Sequence, residues 1–173
     1  MEARKGELRD MLIDFDILFK KQKELDLEIQ KNHNVTYSDT MKRRFLALFV
    51  EIGELANATR CFKYWSNKVS ESKERVMDEY ADGLHFLLSL GIALDIKETS
   101  YEYLETSKDL SALFIKMYEE ISLFEKERSL AKYNDCFKAY LNIAYKLGMS
   151  KDDIFSSYLL KLGENYHRQE TNY

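Results

Sequence analysis

The chain has 173 residues, a net charge of −4 at neutral pH, two cysteines and no proline. That length suits one domain with a sizeable core and is short for two. The acidic balance disfavours a nonspecific nucleic-acid binder, which needs a basic surface to neutralise phosphates. Absent proline, few glycines and apolar repeats at steps of three and four favour an all-α protein over any sheet architecture. We expect a single-domain antiparallel helix bundle of six or so helices. The opening MEARKGELRD carries charges where a signal peptide needs an apolar core, and the longest uncharged run, Gly83 to Leu94, is too short to span a bilayer. Cys61 and Cys136 suggest a reducing compartment, so the expected protein is soluble and cytoplasmic, with no membrane or nucleic-acid partner.

Taken in order, Leu8, Met11, Leu12, Phe15, Leu18, Phe19, Gln22, Leu25 and Ile29 describe one amphipathic helix. Gln22 falls on its apolar stripe, where an amide serves either as a satisfied core group or as a reader of a base edge. Residues 31–34 break the period and read as a loop, with His33 on the surface. A second helix starts near Ser38 or Asp39 as N-cap and runs to about Tyr64, closed by Arg60, Lys63 and Trp65. Its terminal cations complement the helix dipole or hold phosphate oxygens. After a polar connection over 66–73, a third helix covers about Glu74 to Leu94, and the region 95–105 is undecided. Thr106 with Asp109 reads as a capping box before Leu110, Leu113, Phe114, Met117, Ile121 and Phe124. A fifth helix runs from about Ser129 to Leu147 and stops at Gly148, and Ser150 with Asp153 opens the last.

Two acid pairs stand out. Within 45–59, Glu51 and Glu54 are the only charged residues, and within 79–94 the same is true of Glu79 and Asp82. Three residues apart on a helix, each pair diverges by roughly 60° and points into one space. Ala47, Val50, Ala58 and Cys61 surround Glu54 on the helical wheel, so a solvated face does not explain it. Buried acids repel one another, and a set of hard oxygen donors suits Mg²⁺, with Mn²⁺ as a substitute. Gly53 and Gly83 adjoin the acids and are expected to let a helix or a substrate approach the metal. His85 lies three residues beyond Asp82 on the same side. That spacing admits a ferritin-like di-iron reading, but such sites need the motif on two helices, and the first acid helix offers Asn57 in place of a histidine. A noncatalytic helical interaction protein is the remaining reading, opposed by the complete set of acids.

The runs LFVEIGELANATRCFKYWS and DEYADGLHFLLSLG, with the early QKELD and the late K-x-x-x-N-x-x-R-Q, resemble the dimeric all-α dUTPases of the all-α NTP pyrophosphatase (MazG-like) superfamily. The likeness extends from about Leu18 to Gln169. The paired acid motifs mark the superfamily, which includes enzymes for dCTP and other nucleotides, while R-C-F-K-Y-W, D-G-L-H-F and the C-terminal motif narrow it to the dUTPase branch. The resemblance implies hydrolysis of dUTP, and of dUDP, to dUMP through attack of water on the α-phosphorus. It implies Mg²⁺ held by Glu51, Glu54, Glu79 and Asp82, with Glu51 orienting or deprotonating the water. It places Gln22, His85, Phe86 and Asn165 at uracil and deoxyribose, Lys63, Lys161 and Arg168 at phosphates, and Trp65 in the aromatic lining. It further implies a homodimer. The polar C-terminal segment of about 161–173 is expected to close over substrate and exclude bulk water, and a second role with a regulatory protein partner stays open. The chain departs from the pattern at Asp26, where relatives often carry Asn, and at Gly163, where many carry a second lysine.

Overall fold

The structure, a computed structural model, describes residues 11–171. Its elements are β1 (Leu12–Asp14), α1 (Asp16–His33), α2 (Tyr37–Thr59), α3 (Lys73–Ala93), β2 (Ser100–Glu102), α4 (Leu110–Glu127), α5 (Leu130–Lys146) and α6 (Lys151–Glu170). Six helices carry the fold, and the only sheet among the described residues is the antiparallel pair β1–β2, in which Ile13 faces Tyr101. Among the described residues, no helix is long and apolar enough to cross a membrane.

Start signals decide the helix boundaries. Thr36 caps α2 and Asp39 answers from the third helical position, so Asp39 is the far half of a capping box and not the N-cap itself. Ser150 and Asp153 form the box expected at α6, and Ser129 caps α5. At α4 the cap is Asp109, whose carboxylate accepts from the Ala112 N–H at 3.0 Å, while Thr106 lies outside the helix. The first helix begins later than its apolar spacing suggests. Residues 12–14 pair with β2, the Asp14 side chain accepts from the Asp16 N–H, and only then does α1 start, while the expected turn at Leu8 lies outside the described residues. At its other end α1 continues through the expected loop to His33 and closes on Asn34 in the left-handed region. Left-handed Arg60 ends α2 five residues short of Tyr64. Its guanidinium then holds the following loop by donating to the Lys68 carbonyl at 3.2 Å and to Ser66 Oγ at 2.7 Å.

Helix α3 is the central element, packed on α1, α2 and α6 and bearing Tyr80, Leu84, Leu87 and Leu88, all fully buried. Such a helix cannot satisfy itself by amphipathicity and must be covered on most sides. On the side of α5, the hydroxyls of Tyr140 and Tyr133 donate to the carbonyl oxygens of Tyr80 and Leu87, so two buried phenols find partners on the α3 main chain. Gly83 and Gly91 permit this approach. A Cβ on Gly83 would meet Tyr140 Oη at 2.6 Å, and Gly53 likewise faces Tyr118 Oη on α4. The glycines beside the acids therefore let neighbouring helices approach, as expected, through Tyr118 and Tyr140. A Cβ on Gly91 would lie 2.7 Å from Tyr133 Cζ and 3.1 Å from Phe19 Cε1, both in buried rings with no slack. Gly91→Ala should cost about 1–3 kcal/mol as an overpacking change. Thermal denaturation should show a loss of roughly 3–10 °C, with a neutral result contradicting the packing described.

Candidate active site

Asp78, Asp82, His85 and Ser89 recur along α3 at steps of four, three and four, so one face of an otherwise apolar helix is polar. Opposite it stand Gln22 and Asp26 from α1, Arg44, Glu51 and Glu54 from α2, and Lys161, Asn165 and Arg168 from α6. Together they line a cavity of about 660 Å³, of the size that ligand sites occupy. Its walls carry seven carboxylates against five basic side chains, leaving a surplus of negative charge for a cation to offset.

The acids are gathered at one place. Glu51, Glu79 and Asp82 each offer a carboxylate oxygen, and the three atoms lie within 4.8 Å of one another. At that spacing like charges repel by roughly 3–4 kcal/mol per pair at an effective dielectric near 20. Desolvation, then the charges of Asp82, Glu54 and Glu79, push the Glu51 carboxyl up to about 7. Desolvation also raises Glu79 and Asp82, against the opposing influence of Arg75 and Lys161 respectively. Arg75 pairs with Glu79 and with Asp78 at 2.9 Å. Lys161, only 4% exposed, reaches Asp78 at 2.5 Å, Asp82 at 3.0 Å and Glu164 at 3.4 Å. Burial alone would lower the lysine, but its hydrogen bonds to Asp78 and Asp82 raise it, so it stays a cation. Three hard oxygens this close, in a pocket with net negative charge, fit a divalent metal ion.

Away from the acids the lining is an ordered hydrogen-bond network. The two oxygens of Asp26 accept from Gln22 Nε2 at 3.0 Å, Arg44 Nη1 at 3.2 Å, Ser89 Oγ at 2.6 Å and Tyr37 Oη at 3.1 Å. Arg44 also donates to Thr40 and Ser89 and lies over the Tyr37 ring at 4.8 Å. Gln22 Oε1 meets Tyr158 Oη at 2.9 Å and His85 Nδ1 at 2.6 Å. The His85 imidazole stacks on Tyr158 at 4.1 Å and is held neutral, pushed down to about 3 chiefly by burial.

A family model described as dUTPase matches residues 14–173. The chain belongs to the dUTPase family. Membership makes it a hydrolase with dUTP as the implied substrate, and a search of curated individual proteins gives no match.

Set against the residues expected for a dUTPase, the structure brings most of them to one cavity. Glu51, Glu79 and Asp82 form the close group, while Glu54 lies at the exposed rim, lining the cavity and adding its charge to Glu51 and Glu79. Gln22, His85, Phe86, Lys161, Asn165 and Arg168 also line it. Lys63 and Trp65 do not. The left-handed turn at Arg60 carries them into the following loop, where Lys63 pairs with Asn57 and Trp65, 64% exposed, rests edge-on against Phe62 and Tyr64. His85 is engaged with Gln22 and is no member of the close acid group, which removes the di-iron reading. Arg44, Arg75, Asp78, Ser89 and Tyr158 were not singled out from the sequence. Asp78 and Ser89 extend the Asp82–His85 face by one turn in each direction, and that period was the available signal.

Because the Glu51 carboxyl holds its proton more tightly folded than unfolded, ionising it costs stability. That penalty is complete above about pH 7 and fades as the pH falls from there towards the ordinary carboxylate value of 4.5. Metal-free protein should therefore melt lower at pH 8 than at pH 6. E51Q should flatten this dependence and melt several degrees higher than the parent at pH 8. Differential scanning fluorimetry in EDTA checks both, and an E51Q profile as steep as the parent's would contradict the repulsion described.

Proposed function

We propose that the chain hydrolyses dUTP, and dUDP, to dUMP, limiting uracil in DNA and supplying dUMP. The observation that carries this reading is a single cavity of about 660 Å³ joining three carboxylate oxygens within 4.8 Å to a neutral amide and imidazole network. Glu51, Glu54, Glu79 and Asp82 would hold Mg²⁺. When bound, the ion supplies charge for the nonbridging phosphate oxygens and makes water more acidic. Glu51 orients the attacking water and takes its proton. Water adds at the α-phosphorus, the bond to the bridging oxygen breaks, and pyrophosphate leaves, or phosphate from dUDP. Lys161 and Arg168 grip the departing phosphates, Lys161 exchanging carboxylate partners for phosphate oxygens. The end of α6, from Lys161 to Gln169, closes over the triphosphate and excludes bulk water. Gln22, His85, Phe86 and Asn165 take the nucleoside.

The homodimer expected of such enzymes has support in α2. Its outward face is basic at Lys42 and Arg43, aliphatic at Leu46 and Val50, and acidic or polar at Glu54 and Asn57, with Leu46 63% and Val50 47% exposed. A two-fold axis through its middle brings each basic end to the partner's acidic end and leaves aliphatic side chains facing each other. Val50→Lys should yield monomers in light scattering, and unchanged dimers would exclude this face.

A panel of dUTP, dUDP, dCTP and dTTP with and without Mg²⁺ tests the substrate. Activity should be metal-dependent and confined to the uracil nucleotides, and preference for dCTP would replace the reading with another pyrophosphatase. E51Q and Asp82→Asn should each lose at least roughly 100-fold in kcat with an unchanged circular dichroism spectrum. Activity within a few-fold of the parent would remove the metal assignment.

A further inference from the structure

Two cations pair with the acid group, and they are held very differently. Lys161 is 4% exposed and ringed by Asp78, Asp82 and Glu164, so it cannot withdraw into water and yields a carboxylate only to an oxygen that comes to it. Arg75 sits in the first turn of α3 with its side chain 51% exposed, while the Glu79 side chain it pairs with is 4% exposed. One partner of that pair can leave it cheaply. Glu79 is buried and rooted in the central helix, whereas a half-exposed arginine gives up an ion pair at little cost because water screens it. Two carboxylates at the rim, Asp78 at 2.9 Å and Glu71 at 3.8 Å, keep the guanidinium at the mouth of the cavity when Glu79 is surrendered. A divalent ion among Glu51, Glu79 and Asp82 meets Arg75 as a like charge on a shared carboxylate, so in the free protein the two compete. A polyphosphate changes the balance, since its oxygens accept paired hydrogen bonds from a guanidinium as a carboxylate does.

We propose that Arg75 is a releasable counter-ion that makes metal and nucleotide bind together. In the free protein it occupies Glu79 and holds metal affinity down. When a nucleoside polyphosphate enters, the guanidinium moves from Glu79 to the phosphate oxygens and frees the carboxylate for the ion. Each ligand thereby strengthens the other, by the same factor in both directions. The proposal rests on the reading of the cavity as a site for a uracil nucleotide with a divalent metal, and it adds Arg75 to the residues that touch the phosphates.

The experiment titrates Mn²⁺ into the full-length protein without nucleotide, reading the free ion by electron paramagnetic resonance. Arg75→Met keeps most of the stem and removes the charge, and it should bind the ion about 5-fold or more tighter than the parent. Arg75→Lys, which restores a charge, should return the affinity towards the parent's. Should Arg75→Met not fold, Arg75→Gln carries the same expectation. Lys73→Met removes a charge two residues away that pairs with Asp153 and not with a cavity acid, and it should stay within about two-fold of the parent because screening weakens a distant charge. Calorimetry then compares the affinity for α,β-imido-dUTP, which resists cleavage, with and without saturating Mn²⁺. The gain that the ion confers should shrink about 5-fold or more in Arg75→Met. The free analogue chelates the ion equally in every titration, so the difference between variants belongs to the protein. Metal binding in Arg75→Met no tighter than in the parent, equal tightening in Lys73→Met, or an undiminished gain would each overturn the proposal. The metal titration uses no nucleotide, so failure there sinks the counter-ion alone. A tighter Arg75→Met in a protein that neither binds the analogue nor turns over dUTP sinks the uracil reading, and the coupling with it.

Discussion

Repulsion among three crowded carboxylates, one buried and two half-buried, is the constraint around which the molecule is arranged. Glu51, Glu79 and Asp82 would separate if free to do so, and the bundle prevents it by rooting them in α2 and α3, two helices anchored in the core by residues such as Leu48, Ile52, Leu84 and Leu88. The fold meets the charge in part with its own cations. Arg75 attends Glu79 from the same helix, and Lys161 attends Asp82 from α6, the element farthest away in sequence. Neither neutralises Glu51, whose carboxyl remains displaced towards neutrality. What the protein leaves unbalanced is the part that a dUTPase's divalent metal can balance.

The cavity is chemically two-sided. At the acid cluster, charges are close and costly. Around Asp26 the opposite holds, because every lone pair of the carboxylate is used and the side chains are locked by mutual donation. The departure at this position thus has a structural account: Asp26 has no acceptor to spare for a base. A rigid end suits discrimination between bases, and a frustrated end suits a polyphosphate that arrives with cations.

Much of this was legible in the residues. The acid pairs betrayed themselves by interrupting apolar runs, and Ser129 and the Ser150–Asp153 box marked helix starts because capping is a local matter of one side chain and a few amides. The short strands were not legible. Three residues such as 12–14 also fit a helical period, and they are strands only because residues 100–102 lie beside them. Gly53 and Gly83 were legible as points of close approach but not in what approaches them, since their neighbours in sequence are acids while their neighbours in space are Tyr118 and Tyr140. The fate of Lys63 and Trp65 hung on one left-handed residue, Arg60, a conformation uncommon outside glycine that periodicity cannot foresee. Arg44 and Ser89, 45 positions apart, meet only through the fold.

Gln22 comes from the first helix and Lys161 from the last, so the pocket draws on both extremities of the chain. A growing polypeptide on the ribosome carries α2 and α3, with their clustered acids, well before α6 has emerged to supply the lysine. During that interval the acid face has Arg75 but lacks Lys161, and the imidazole lacks the Tyr158 ring that covers it. Assembly of the site is therefore a late event in biosynthesis, and a product cut short before α6 would keep the central helices yet lack both.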